Sequence, residues 1–354
     1  MGKIIGSSLK IWYVFLLVCF SLFSAQATAQ SVLNCPAYPD TIMREQQKNY
    51  FLKCFIRGDE LSSITITTDG YPLVENKDGK LEYAIIDNLG KRTSTGILAK
   101  NKKDRNGEEM NLLSSRCTKY NEAVKLKSSK RYVSSSNSYS VADFPVTGTR
   151  KLLVLLIDFA DLSFQISSGN FTNLMNQTNY GGSGSFKDFW LESSYGNLTV
   201  NSTIHGWYHA SDSLAYYGGN NDEDEIRDVN HRELAKEAID AAENGGVDFS
   251  EFDNDNDGYV DGVIIVHAGY GEEAGGGDNT IWAKQGTLSS SDQRTYDGVT
   301  IKDYAIVPEL RFNFGSYIAT IGTVCHEFGH LLGLPDLYDT NISNGDSEVL
   351  GIGG

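Results

Sequence analysis

The chain has 354 residues, 40% hydrophobic and 21% charged, a globular balance that excludes a wholly disordered or fibrous protein. That length can hold two domains and a sizeable core. The formal net charge of −16 argues against nucleic-acid or anionic-membrane partners and suits a protein that holds cations.

Lys3 and Lys10 flank the start of an apolar run from Ile11 to Phe23, and Ala25-Gln26-Ala27-Thr28-Ala29 follows with the small residues a signal peptidase needs. Residues 1–29 therefore read as a secretory signal peptide, too short for a comfortable membrane span. A secreted chain with no stable membrane anchor is expected, acting as a monomer. Beyond the signal stand Cys35, Cys54, Cys117 and Cys325. A Cys35–Cys54 bridge suits an oxidising compartment, although four cysteines allow three complete pairings.

Residues 30–133 have a short, β-like texture. Ile64-Thr65-Ile66-Thr67 alternates, Asp69-Gly70 and Asp78-Gly79 are turn dipeptides, and Leu81 to Ile86 reads as the returning strand of a small antiparallel meander. Residues 134–147 open with a polar serine-rich run and read as a linker, with Lys125, Lys127, Lys130 and Arg131 just ahead of it as exposed points for nicking. From residue 148 to 354 the texture is α/β. Lys151 to Phe159 and Gly262 to Ala268 are apolar runs of strand length, as strands buried on both faces would be. Ser185 to Glu192 and Val229 to Glu243 read as helices, Leu198 to Ile204 and Tyr304 to Val307 as strands. A mixed, twisted sheet is expected. The glycines at 181–184 and 275–277 lack the setting of a phosphate loop and read as plain turns.

The chemistry concentrates near the C-terminal end, in His326-Glu327-Phe328-Gly329-His330-Leu331-Leu332-Gly333-Leu334-Pro335-Asp336. If residues 318 to 332 are helical, His326 and His330 stack on one face, where both imidazoles reach a single metal ion. Val324, Cys325, Phe328, Leu331 and Leu332 form an apolar arc on the other side, so one face is expected to be buried and the metal face to line an open cleft. Cys325 reads as packing, not as a ligand. A catalytic Zn²⁺ takes three protein ligands and leaves a position for water. Gly333 can end the helix in the left-handed conformation and lead Asp336 back as the third ligand, with Asp339 as the next candidate. Glu327 is placed to act as general base, taking a proton from the attacking water and passing it to the leaving amine.

A second constellation is Asp253-Asn254-Asp255-Asn256-Asp257-Gly258-Tyr259-Val260-Asp261. Oxygens from Asp253, Asp255, Asp257 and Asp261, the backbone carbonyl of Tyr259 and a glycine at the sixth position are what a structural Ca²⁺ loop needs. Position twelve is Ile264, so further ligands must come from elsewhere, with Asp248, Glu251, Glu272, Glu273 and Asp278 as possible donors.

These two motifs, together with His267-Ala268-Gly269-Tyr270-Gly271-Glu272-Glu273-Ala274-Gly275-Gly276-Gly277, resemble the M6 family of secreted bacterial metalloproteases of the immune inhibitor A type. The resemblance covers about Pro145 to Asp339, and Asp69-Gly70-Tyr71-Pro72 with Tyr83-Ala84 is similar to that family's propeptide. It implies a metzincin-like α+β zincin fold, one catalytic zinc on His326, His330 and Asp336, structural calcium, and an autoinhibitory pro-region removed on activation. It also implies a methionine-containing turn after the zinc motif. No methionine follows Met175, so the catalytic domain is expected to be incomplete at Gly354 and these residues alone to cleave little. The expected activity is a zinc endopeptidase acting on protein or peptide substrates and made as a zymogen. The alternatives are a calcium-stabilised binding module and a zinc amidase of cell-wall peptides.

Overall fold

A computed structural model describes residues 37, 40–58, 63–87, 91–120, 144–220 and 227–335. The signal segment, Cys35, residues 134–143 of the expected linker, Asp336, Asp339 and Gly351 to Gly354 lie outside the described residues.

The upstream region builds two small antiparallel sheets. The first contains β1 (Ile42–Gln47), β2 (Tyr50–Gly58) and β3 (Ser63–Thr67), in that order. In the second, β4 (Leu73–Glu75), β5 (Leu81–Ile86) and β6 (Arg92–Leu98) lie side by side. The expected pairing of Ile64–Thr67 with Leu81–Ile86 is therefore corrected, because β3 pairs with β2 and β5 with β4 and β6. The Asp69-Gly70 turn closes locally, with Gly70 N–H donating to Thr67 O at 2.8 Å and Thr67 N–H to Tyr71 O at 2.8 Å, and the chain leaves the sheet. A helix that the sequence pattern did not reveal, α1 (Gly107–Arg116), starts at a capping box in which Asn106 and Glu109 satisfy each other's backbone N–H groups.

Beyond it come β7 (Gly148–Asp158), α2 (Ser168–Asn176), α3 (Phe186–Ser193), β8 (Leu198–His209), α4 (Leu214–Gly218) and α5 (His231–Asn244). Then follow β9 (Val263–Tyr270), β10 (Lys284–Thr287), the ribbon β11 (Arg294–Tyr296) and β12 (Val299–Ile301), β13 (Asp303–Leu310) and α6 (Ile321–Leu331). The central sheet runs β10-β13-β9-β7-β8, parallel except for β10, which lies antiparallel on β13 at one edge. It is a mixed sheet in an α/β arrangement.

Strand β7 is an unbroken apolar run from Leu152 to Ile157 because both faces are covered there. Leu153, Leu155 and Ile157 pack with Leu234, Ala238 and Ile239 of α5, while Leu152, Val154 and Leu156 pack with residues of α2, α3 and α6. Leu152 to Ile157 are all fully buried. Each such aliphatic side chain contributes about 1.5–3 kcal/mol relative to exposure. Among the described residues no helix is long and apolar enough to cross a membrane.

The upstream sheets are not a separate island. Ile42, Leu52, Leu73, Leu81 and Tyr83 share one buried cluster with Trp282 and Ala283, the two residues just ahead of β10. The glycines at 275–277 do turn the chain, with Gly275 N–H donating to Glu272 O at 2.9 Å and Gly276 N–H to Gly271 O at 3.1 Å, and this turn is where the docking happens. Arg44 Nη1 donates to Gly275 O at 3.4 Å, Asn313 Nδ2 donates to Met43 O at 2.8 Å, and Arg44 pairs with Glu75 at 2.8 Å. Gly275 has φ +93°, and a Cβ there would lie 2.6 Å from Ile42 Cδ1. Only glycine lets the two regions approach so closely.

Candidate active site

Helix α6 packs its apolar arc as its period requires. Val324, Cys325, Phe328 and Leu331 join the core beneath β9 and β13, and burial pushes the Cys325 thiol well above its ordinary pKa. The opposite side departs from the expected open face. Gly322 is exposed and His326 partly so, but Glu327, Gly329 and His330 are buried, with Glu327 0% exposed. The enclosure comes from outside the helix: Leu334 and Trp190 lie over Gly329, where an added Cβ would meet them at 3.7 and 3.9 Å, ordinary contact distances.

The end of α6 builds the second histidine's environment. Gly333 takes φ +77°, its N–H donates to His330 O at 2.9 Å, and Leu334 N–H donates to Gly329 O at 2.9 Å. This is a Schellman ending. It turns the chain so that Leu334 O meets His330 Nδ1 at 2.9 Å. A carbonyl oxygen can only accept, so Nδ1 carries the proton and Nε2 of the neutral ring keeps its lone pair. That Nε2 lies 3.1 Å from His326 Nε2, the two rings meeting nearly at right angles, 84°. Two nitrogens on one tetrahedral zinc at about 2.0–2.1 Å would lie roughly 3.3 Å apart, so the pair fits that ion. Glu327 projects from the intervening helical position.

The acidic loop is also brought together in part. Carboxylate oxygens of Asp253, Asp255 and Asp261 lie within 4.8 Å of one another. Asp257 is not in that trio; its Oδ1 accepts the Tyr259 N–H at 2.9 Å. Asp253 accepts from Asp257 N–H at 3.1 Å and Gly258 N–H at 3.0 Å, with Gly258 at φ +91°. Burial pushes the Asp261 carboxyl up to about 6, the charges of Asp255 and Asp253 adding to it while hydrogen bonds from Asn254 pull it back.

Four of the five extra donors expected for this loop have other partners. Asp248 accepts from Ser250 N–H at 3.0 Å, and Glu251 pairs with Lys151 at 2.9 Å. Glu272 pairs with Arg227 at 3.0 Å, Glu273 accepts the Ala283 N–H at 3.2 Å, and Asp228 pairs with Lys284 at 2.5 Å, all in a buried ionic cluster beside the glycine loop. Burial pushes Glu272 up to about 8 and Glu273 to about 7, with the Asp228 charge raising both. Cys54 and Cys117 are free and buried in the upstream core, and Cys35 lies outside the described residues.

Sequence reasoning missed Glu309. Fully buried at the end of β13, it accepts the backbone N–H groups of Gln165, Ile166 and Gly269 at 2.6, 2.5 and 2.9 Å, tying the loop after β7 to the end of β9. An acidic residue at the end of the apolar run from Tyr304 to Pro308 was its only signal. A cavity of about 370 Å³ bounded by Ile166, Tyr180, Arg311 and Tyr317 opens beside the loop ahead of α6, and neither histidine lines it.

The chain is similar to known metalloproteases by sequence. Over 185 residues, 44% of the chain, it is 34% identical to immune inhibitor A of Bacillus thuringiensis subsp. alesti. Over 249 residues, 57% of the chain, it is 32% identical to the pre-pro-metalloprotease PrtV of Vibrio cholerae serotype O1. Each match spans 26% of the relative's own length. Residues 141–351, more than half of the chain and the part that holds both constellations, match the immune inhibitor A peptidase M6 catalytic domain, and the chain belongs to that family.

Proposed function

We propose that the protein is a secreted zinc endopeptidase that hydrolyses protein substrates and is made as a zymogen. The observation that carries this reading is the 3.1 Å approach of His326 and His330 Nε2, with His330 Nδ1 engaged by Leu334 O. His326 and His330 would hold Zn²⁺, with Asp336 as third ligand. When bound, zinc supplies a Lewis acid that polarises the scissile carbonyl and makes water acidic enough to attack near neutral pH. Glu327 takes the proton of the attacking water and delivers it to the leaving amine, and its burial keeps bulk water from competing for that proton. The Leu334 carbonyl holds the His330 ring in one tautomer throughout.

Asp253, Asp255 and Asp261 would hold Ca²⁺ in a structural site, with Asp257 and the Tyr259 carbonyl completing the loop. Residues 30–133 act as the latency region. What supports this is the core that Ile42, Leu52, Leu73, Leu81 and Tyr83 share with Trp282 and Ala283, just ahead of the edge strand β10, where an extended peptide can pair.

Casein cleavage by the secreted protein expressed from its whole reading frame tests the reading. Activity that a zinc chelator abolishes and added zinc restores is expected. Cleavage indifferent to the chelator would contradict it, as would inertness toward casein with activity on peptidoglycan.

A further inference from the structure

The stretch from Phe144 to Thr147 has no helix or strand, and Val146 within it is 53% exposed, yet Phe144 is fully buried. Its place is the back of α6. The Phe144 ring meets Phe328 edge-on, centroids 4.8 Å apart at 76°. Phe328 also touches Phe186 at 5.1 Å and Trp190 at 5.3 Å, both on α3. Three rings thus close on one side chain. Two come from a helix fixed by its own packing, and the third comes from the segment that leads out of the serine-rich run.

Phe328 follows Glu327 directly and stands two residues from each histidine. At 100° per residue it lies some 160° around α6 from His326 and from His330, so whatever sets the Phe328 ring sets the roll of the helix that aims both imidazoles. An interior packed like a crystal transmits such a shift instead of absorbing it. The position of Phe144 also matters for processing, because residues 134–140 and the lysines before them are the polar, basic sequence where a zymogen would be cut.

We propose that Phe144 is a positioning residue for the zinc site, and that the active chain must begin upstream of it. This rests on the zinc-peptidase reading. A cut before Phe144 leaves the third wall of the Phe328 box in place. A cut beyond it releases that wall and loosens the His326/His330 pair while the ligands themselves remain.

The test uses the secreted full chain with Phe144→Ala, Phe144→Leu and, as a core control in the same apolar layer, Leu174→Ala. Zinc release to a competing chelator, peptide kcat and KM, and Tm are measured on each, and the active processed form is sequenced from its N-terminus. Phe144→Ala is expected to release zinc at least about tenfold faster and to lose about tenfold in kcat with KM little changed, as outer-shell supports of metal sites do. Phe144→Leu should restore most of both. Leu174→Ala should lower Tm without changing zinc release, and the active form should start at or before Phe144. A Phe144→Ala protein that loses only Tm, an equal zinc effect in Leu174→Ala, or an active form starting beyond Phe144 would overturn the proposal. If the unaltered chain holds zinc but cleaves no peptide, the peptidase reading fails, and zinc release still decides the role of Phe144.

Discussion

The two regions proposed to hold metal ions are built on opposite principles. On α6 the protein spends its own interactions on the histidines: a Schellman ending, a carbonyl on His330 Nδ1 and a core of aromatic rings behind Phe328. In the 253–261 loop the carboxylates crowd one another, and only backbone N–H groups and Asn254 hold them. The histidine pair is already assembled, whereas burial, with the charges of Asp255 and Asp253 adding to it, holds the Asp261 carboxyl above its ordinary range. Zinc should therefore govern activity with little effect on folding, and calcium should govern stability with little direct effect on chemistry.

The largest effect should come from the first region. Glu327→Gln keeps the shape of the site but cannot take a proton, so turnover should fall by about 10²–10⁴ while bound zinc and Tm stay near those of the unaltered chain. Full activity in that variant would remove Glu327 from the mechanism. In the second region, a calcium-selective chelator should lower Tm by about 5–10 °C, the shift that loss of a cation at about a hundred times its Kd gives for a domain of this size. An unchanged Tm would leave the acidic loop as an ordinary solvated turn.

A smaller, pH-dependent effect belongs to the buried ionic cluster. Glu272 and Glu273 titrate near 8 and 7 in the fold against an ordinary 4.5, so the folded chain holds more protons than the unfolded chain between those values. Their contribution is full below pH 4.5 and is lost as pH rises through 7 and 8. His267, lowered to about 4 by burial, opposes this trend only below its ordinary 6.5. Stability should then fall by about 2 kcal/mol from pH 6.5 to 8, and Glu272→Gln should flatten the slope. An effect of similar size should follow Gly275→Val, which places atoms where Ile42 sits. It should open the upstream region to limited proteolysis at a cost of about 1–3 kcal/mol, with zinc binding unchanged.

What the sequence made legible was local. His326 and His330 four apart, Gly333 at the helix end and oxygens at alternate positions of the acidic loop all act over one turn of chain, so spacing alone placed them. Strands β7 and β9 were legible because burial on both faces leaves an unbroken apolar run. Long-range partners were not. Nothing near Glu272 announces Arg227, 45 residues earlier, and nothing in a polar serine-rich stretch announces that Phe144 ends it inside a core. The glycines at 275–277 were legible as turns but not as a docking point, because Ile42 and Arg44 lie more than 200 residues away in the chain. The open metal face expected for α6 failed for the same cause, since Trp190 and Leu334 close over Gly329 from outside the helix.

The central claim is that His326 and His330 share one zinc through their Nε2 atoms. Metal analysis of the purified full chain, combined with X-ray absorption at the zinc edge, tests it most directly. One equivalent of zinc per chain with two imidazole nitrogens at about 2.0–2.1 Å is expected, lost in His330→Ala. A chain that binds no zinc, or whose zinc and imidazole signal survive His330→Ala, would contradict the account.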